Sequence, residues 1–192
     1  VLASHFHPDH FNKEVLQWRE QRPDIIYIFS KDILRHRRAQ KEDAVWLKKG
    51  EEYKDETLSV RAFGSTDVGV SFLLQAGGKK IFHAGDLNNW HWMDESTEAE
   101  WKGAEKNFLH ELDDLYAYTP EVDVAMFPVD PRLGKEYMRG AGQFVTKIKT
   151  HIFVPMHFTP EYAKANAFRD FAEAHGVRFV SLTHRGQKIE IE

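Results

Sequence analysis

The chain opens on a strand-like VLA and then crowds three histidines and an aspartate into SHFHPDHFN, residues 4–12. His5 and His7 are two apart, so at the end of an extended strand both imidazoles point to one side and can share an ion. Asp9 and His10 follow Pro8, which breaks the strand, and the turn into the next segment can swing both beside that ion. Neutral imidazole and carboxylate are donors for zinc, and also for manganese or iron. A fold for this chain therefore has to end a strand here with these side chains free to converge. An affinity tag would be a monotonous run, whereas Phe6, Pro8 and Phe11 interleave this one.

The 192 residues include no cysteine, which removes thiolate metal sites, disulfides and a Cys nucleophile together. That composition fits a reducing compartment, and we expect a cytoplasmic protein. A net charge of -4 leaves no basic footprint for nucleic acid, and no apolar run approaches the length of a membrane span. The expected partner is a small-molecule substrate, with neither nucleic acid nor membrane, and homo-oligomerisation stays open. The length suits one domain spanning residues 1–192.

Apolar patterning predicts alternating strands and helices, hence an α/β class. FNKEVLQWREQRP reads as an amphipathic helix stopped near Pro23, and DIIYIFS as a strand covered on both faces. TLSVRAF, GVSFLLQA and KKIFHAG are strand-like, with Gly77-Gly78 as a hairpin signal between the last two. A long helix follows Ser96 or Thr97, with Phe108, Leu112 and Leu115 on its apolar face. EVDVAMFPVD and HIFVPMHF read as strands with a short helix, GQFVTKIKT, between them. PEYAKANAFRDFAEAHG reads as a helix stopped at Gly176, and VRFVSLT and QKIEIE as closing strands. The basic run Arg35, His36, Arg37, Arg38 reads as a solvated helix face.

Taken with FHAGDLNNW and VPMHF, the stretch HFHPDH resembles the signature of the metallo-β-lactamase superfamily. The resemblance covers essentially the whole chain and implies an αββα sandwich with a di-metal site at its strand ends. It implies Asp86 as the bridging aspartate and His157 as the last histidine ligand. FHAGD and PMHF are most similar to the metal-dependent hydrolase branch that includes relatives of L-ascorbate-6-phosphate lactonase. The family places a further histidine of the first metal where this chain reads AFGSTDVGVSF, so that Ser65 stands in its position. The first ion then keeps His5, His7 and the shared Asp86, with Asp67 or Ser65 as substitutes. The second keeps Asp9, His10, Asp86 and His157. Asp67 is either a ligand or a turn residue, and one or two divalent ions are expected, zinc first, then manganese or iron. The family also sets several strands ahead of this motif, where the chain has only VLA, so the N-terminal part of the fold is expected to be absent from this chain.

The chemistry implied is hydrolysis of a small ester, lactone, amide or phosphoester by hydroxide held at the metal, with Asp9 as the catalytic residue that orients it. A phosphodiesterase or nuclease of the same superfamily and a non-catalytic metal-binding module are the alternatives. A di-iron oxidoreductase is a lesser one. Trp90, His91 and Trp92 are candidates for a substrate wall, or else pack on the helix that follows. His83 is a supporting residue or an ordinary core histidine. Arg132, Lys135 and Arg139 could pair with an anionic substrate group, though surface solvation is their commoner role.

Overall fold

A computed structural model describes residues 1–158 and 160–190. Three short parallel strands form one sheet in the order β1-β2-β3: β1 Leu2–Ala3, β2 Ile28–Ser30 and β3 Val45–Leu47. The second sheet has seven strands: β4 Glu52–Lys54, β5 Leu58–Phe63, β6 Ser71–Ala76, β7 Lys79–His83, β8 Glu121–Pro128, β9 Lys149–Met156 and β10 Arg178–Phe179. They run in the order β10-β9-β8-β7-β6-β5-β4. Neighbours from β4 to β7 are antiparallel, and those from β7 to β10 are parallel. Strands β7, β8 and β9 therefore end on the same edge, which gathers the loops behind them.

Burial follows the strand period. Ile28 faces inward with Leu47, Val60, Ala62 and Phe72 between the sheets, while its neighbour Phe29 faces outward among Phe11, Tyr27 and Ile33, the last on the short helix α1 (Lys31–Arg35). This two-sided burial is what the continuous run DIIYIFS predicts. Along β8, Ala125 and Phe127 face the helices α2 (Glu98–Tyr118) and α3 (Arg139–Lys147), whereas Val124 and Met126 face the other way. On the helical side Phe108, Leu112 and Leu115 of α2 are fully buried, at the spacing expected of one helix face. Each such side chain contributes about 1.5–3 kcal/mol of burial. Thr97 caps α2: its hydroxyl accepts from Glu100 N–H, and Glu100 Oε2 accepts from Thr97 N–H at 2.8 Å. The hairpin between β6 and β7 turns through Gly77 (φ 57°) and Gly78 (φ 77°), both in the left-handed region.

Several local expectations are corrected. Residues Lys13–Glu20 form a 3-10 helix rather than an amphipathic α-helix, with only Val15 and Leu16 packed on the core and Trp18 exposed. Asn12 O accepts from Val15 N–H in the i+3 pattern of a 3-10 turn, and the Tyr27 hydroxyl donates to Val15 O, tying the turn to the residue just before β2. The helix expected over residues 160–176 is two pieces, α4 Tyr162–Asn166 and α5 Arg169–Ala174, broken where Phe168 drops into the core. Gly176 stops the second with φ 75°. VRFVSLT contributes only the two residues of β10, and residues 187–190 of QKIEIE form no strand; its last two residues lie outside those described. Among the described residues, no helix is long and apolar enough to cross a membrane.

Candidate metal centre

Four loops meet at one edge of the two sheets. His5, His7 and His10 follow β1, Asp86 follows β7, Asp130 follows β8 and His157 follows β9. They meet because two glycines let the chains approach. A Cβ on Gly69 would lie 2.0 Å from Ser4 O and 2.5 Å from His5 Cβ, and one on Gly85 would lie 2.9 Å from Ser4 Cβ. Both glycines have positive φ, so their conformations also favour glycine.

Asp86 sits at the centre, 5% exposed. Its Oδ2 lies 3.3 Å from His5 Nε2, and its Oδ1 lies 3.2 Å from His10 Nε2 and 3.4 Å from His157 Nε2. Two donor groups result, each with its ligand atoms within 4.8 Å of one another: His5, His7 and Asp86, and His10, Asp86 and His157. His5 Nε2 and Asp86 Oδ1 are buried without a hydrogen-bond partner. Burying such atoms unpaired is costly, and a cation in the donor group of each removes the cost. The spacing fits the same reading: ligands about 2.0–2.1 Å from a tetrahedral zinc stand about 3.3–3.4 Å apart. The residues thus suit the metal that their sequence pattern implies.

Neighbours set the tautomers. Ser4 Oγ lies 3.1 Å from His5 Nδ1 and 3.3 Å from His10 Nδ1. A hydroxyl can accept from both rings, which leaves both Nε2 lone pairs facing Asp86. His157 Nδ1 donates to Oδ2 of buried Asp130 at 3.0 Å, which turns Nε2 toward Asp86 as the nitrogen that an ion would take. Burial, reinforced by His10 and His7, pushes the His5 imidazole down to about 4 against the pull of Asp86, so the ring is neutral at pH 7. Burial would raise the Asp86 carboxyl, but the surrounding histidines hold it below its ordinary value. Burial also opposes charge on His157, yet Asp130 and Asp86 raise it to about 9 in the metal-free protein. His157 holds φ 64°, an uncommon backbone for a non-glycine residue and one found at sites where geometry matters.

The other candidates fall around these groups. Asp9 lies outside both, its side chain 73% exposed and its Oδ2 3.6 Å from His10 Nε2, and it lines the cavities on either side. Asp67 is exposed at the wall of one cavity with its N–H on Ser65 Oγ at 3.4 Å; neither residue joins a donor group. Trp90 and Trp92 line that cavity with near-parallel rings, and Trp90 stands edge-on to His157. His91 is instead buried, its Nε2 3.2 Å from Glu136 O and its Nδ1 accepting Met93 N–H, so it braces the loop. His83 lines the second cavity, and its Nδ1 accepts Gly85 N–H at 3.1 Å. Asp130 and Ser4 escape the sequence reading. The only signal for Asp130 is the strand end FPVD, one residue before Pro131.

No family model matches the sequence, and no curated protein matches it. Solved structures do. Igni18, a novel metallo hydrolase from the hyperthermophilic archaeon Ignicoccus hospitalis, is similar over 95% of this chain and 75% of its own, with TM-score 0.63 and 17% identity. The metallo-β-lactamase fold protein YhfI from Bacillus subtilis is similar over 94% and 72%, with TM-score 0.59 and 10% identity. CmlA, a diiron β-hydroxylase from Streptomyces venezuelae, is similar over 94% of this chain and 43% of its own, with TM-score 0.59 and 15% identity. The chain has the metallo-β-lactamase fold.

Proposed function

We propose that the protein is a metal-dependent hydrolase of a small ester, lactone, amide or phosphoester, with a divalent ion, zinc first among candidates, in each donor group. The observation that carries this reading is the pair of groups sharing Asp86, with His5 Nε2 and Asp86 Oδ1 buried and unpaired. The similarity to Igni18 supports a hydrolase by analogy of fold, and the HFHPDH, FHAGD and PMHF motifs favour a lactone within that class.

An ion in such a site supplies Lewis acidity and brings the pKa of a water toward about 7. The chain's own residues do the rest. Ser4 and Asp130 hold protons on the outer ring nitrogens and so present Nε2 of His5, His10 and His157 inward. Asp9, exposed between the two cavities, is the carboxylate free to accept a proton from an attacking water and pass it to solvent. Trp90 and Trp92 form an apolar wall against which the substrate lies.

The test measures metals per chain and turnover of a panel of lactones, carboxylic esters and phosphoesters by the zinc-loaded protein, together with oxygen uptake by the iron-loaded protein. Hydrolysis that is lost in Asp86→Asn supports the reading. Iron-dependent oxygen uptake without hydrolysis would replace it with redox chemistry of the kind the name of CmlA describes. Metal binding with neither activity would leave a binding module.

A further inference from the structure

Two cavities of about 440 and 400 Å³ flank the donor groups, and their walls are strongly acidic, with Asp9 on both, Asp67 and Asp86 on one, and Asp130 and Glu161 on the other. Among the described residues lining them, Arg132 is the only lysine or arginine, and it lines both. Of the three cations that the sequence offered for an anionic group, the structure sets Arg132 apart. Arg139 is committed to Glu105 on α2 through its Nε at 2.7 Å, and Lys135 lines neither cavity.

Arg132 is held in a fixed pose. Its Nε lies 3.0 Å from both carboxylate oxygens of Asp130, and its Nη2 donates to Oδ2 at 2.5 Å. That carboxylate is 1% exposed and also receives the His157 Nδ1 proton. The guanidinium has five N–H groups in a planar fork. Asp130 takes the edge made by Nε and Nη2, and no partner among the described residues takes Nη1. Nη2 also lies 3.4 Å from His157 Nδ1, but both atoms converge on Asp130 Oδ2, and Nδ1, which donates there, has no lone pair for the remaining Nη2 proton. The outer edge of the fork is therefore open at the mouth of both cavities, on a side chain 64% exposed. A planar pair of donors fixed by a buried carboxylate matches the two oxygens of a carboxylate or phosphate.

We propose that Arg132 is the substrate-recognition residue of this site, and that its substrate carries an oxyanion group, carboxylate or phosphate, bound by the outer edge of the guanidinium while the scissile bond lies over the donor groups. The proposal rests on the hydrolase reading of the centre and narrows it to anionic substrates. Asp9, Asp67 and Glu161 then serve a second purpose, since their charges repel an anion from the parts of the walls away from Arg132 and the donor groups.

The test uses the zinc-loaded full chain and the variants Arg132→Gln and Arg132→Lys. Binding of phenylphosphonate is measured by isothermal titration, with benzyl alcohol as the neutral control. The ratio of kcat/KM for 4-carboxyphenyl acetate over phenyl acetate is measured beside it, with metals per chain for each variant. Losing a charge-assisted pair of hydrogen bonds predicts phenylphosphonate affinity at least about tenfold weaker in Arg132→Gln, with a similar fall in the ratio. Arg132→Lys, which keeps the charge but not the fork, falls between. Equal affinity in wild type and Arg132→Gln, or no binding by either, overturns the proposal. So does an equal loss on both esters with lowered metal content, which is the signature of a residue that only steadies Asp130. Arg132-dependent binding without ester turnover would uphold the anion site and reject the hydrolase; turnover indifferent to Arg132 would do the reverse.

Discussion

The Nδ1 proton of His157 points at Oδ2 of Asp130 across 3.0 Å, and that carboxylate is almost wholly buried. The pair keeps the opposite nitrogen of the ring turned toward Asp86. Asp130→Asn should therefore leave the fold standing and weaken metal binding by about 10- to 100-fold. Competition with a chromophoric chelator measures this, and an unchanged affinity would show that Asp130 does not orient the ring.

The same pair makes the metal-free protein sensitive to pH. Folding raises the His157 imidazole from its ordinary 6.5 to about 9, burial opposing and the two carboxylates prevailing. Stability from this group is thus complete below about 6.5 and is lost as pH rises through about 9. An ion needs the neutral ring, so affinity at the His10, Asp86 and His157 group should climb over that same range. Urea unfolding of metal-free protein and metal titrations, each run from pH 6 to pH 9.5, should move in opposite directions.

Asp86 belongs to both donor groups, whereas His5 and His157 belong to one each. Asp86→Asn should lower the content of both ions, while His5→Ala and His157→Ala should each lower one. Elemental analysis of the three variants after identical zinc loading checks this. Equal losses in all three would mean a single ion.

Gly69 has no room for a side chain against Ser4 O and His5 Cβ, and its φ is +76°. Gly69→Ala should cost more than about 2 kcal/mol and reduce metal content. Gly103, within α2, meets nothing within 4 Å, so Gly103→Ala should stabilise by about 0.5–1 kcal/mol. Urea denaturation of the pair separates close approach from ordinary helix propensity.

Glu105 of α2 ties the loop behind Asp86 to α3: its Oε1 accepts from Arg139 Nε at 2.7 Å, Gln143 Nε2 at 2.5 Å and Asn89 Nδ2 at 3.2 Å. Arg139 leads in holding this carboxyl below its ordinary value, against burial. A depressed carboxyl stabilises above its unfolded pKa of about 4.3 and loses that contribution as pH falls further. Glu105→Gln should cost about 1–3 kcal/mol at pH 7, and the gap to wild type should narrow below pH 4. Unfolding curves at both pH values decide it.

Sequence alone carried the residues whose meaning is local. The spacing of His5, His7 and His10, the two glycines of the β6–β7 hairpin, and the apolar face of α2 each declare themselves within a few positions. Asp86 and His157 became legible through motifs similar to a known superfamily, which likewise implied the sandwich fold. Asp130 and Ser4 stayed hidden because their roles exist only across space: each is an ordinary polar residue at a strand end until a histidine from another loop faces it. The 3-10 turn over Lys13–Glu20 was likewise set by tertiary partners, Tyr27 among them, rather than by local pattern.

Of the five residues in the two candidate donor groups, three come from one short peptide. His5, His7 and His10 are neighbours along the chain, while Asp86 and His157 arrive from loops that exist only once the large sheet is paired. An ion can therefore meet three imidazoles on the unfolded chain, without the pairing of the large sheet. Because the denatured chain competes for it, the ion stabilises the native state by less than its native affinity alone would give. In exchange, this short peptide can take up its turn around an ion before the Asp86 and His157 loops close on it.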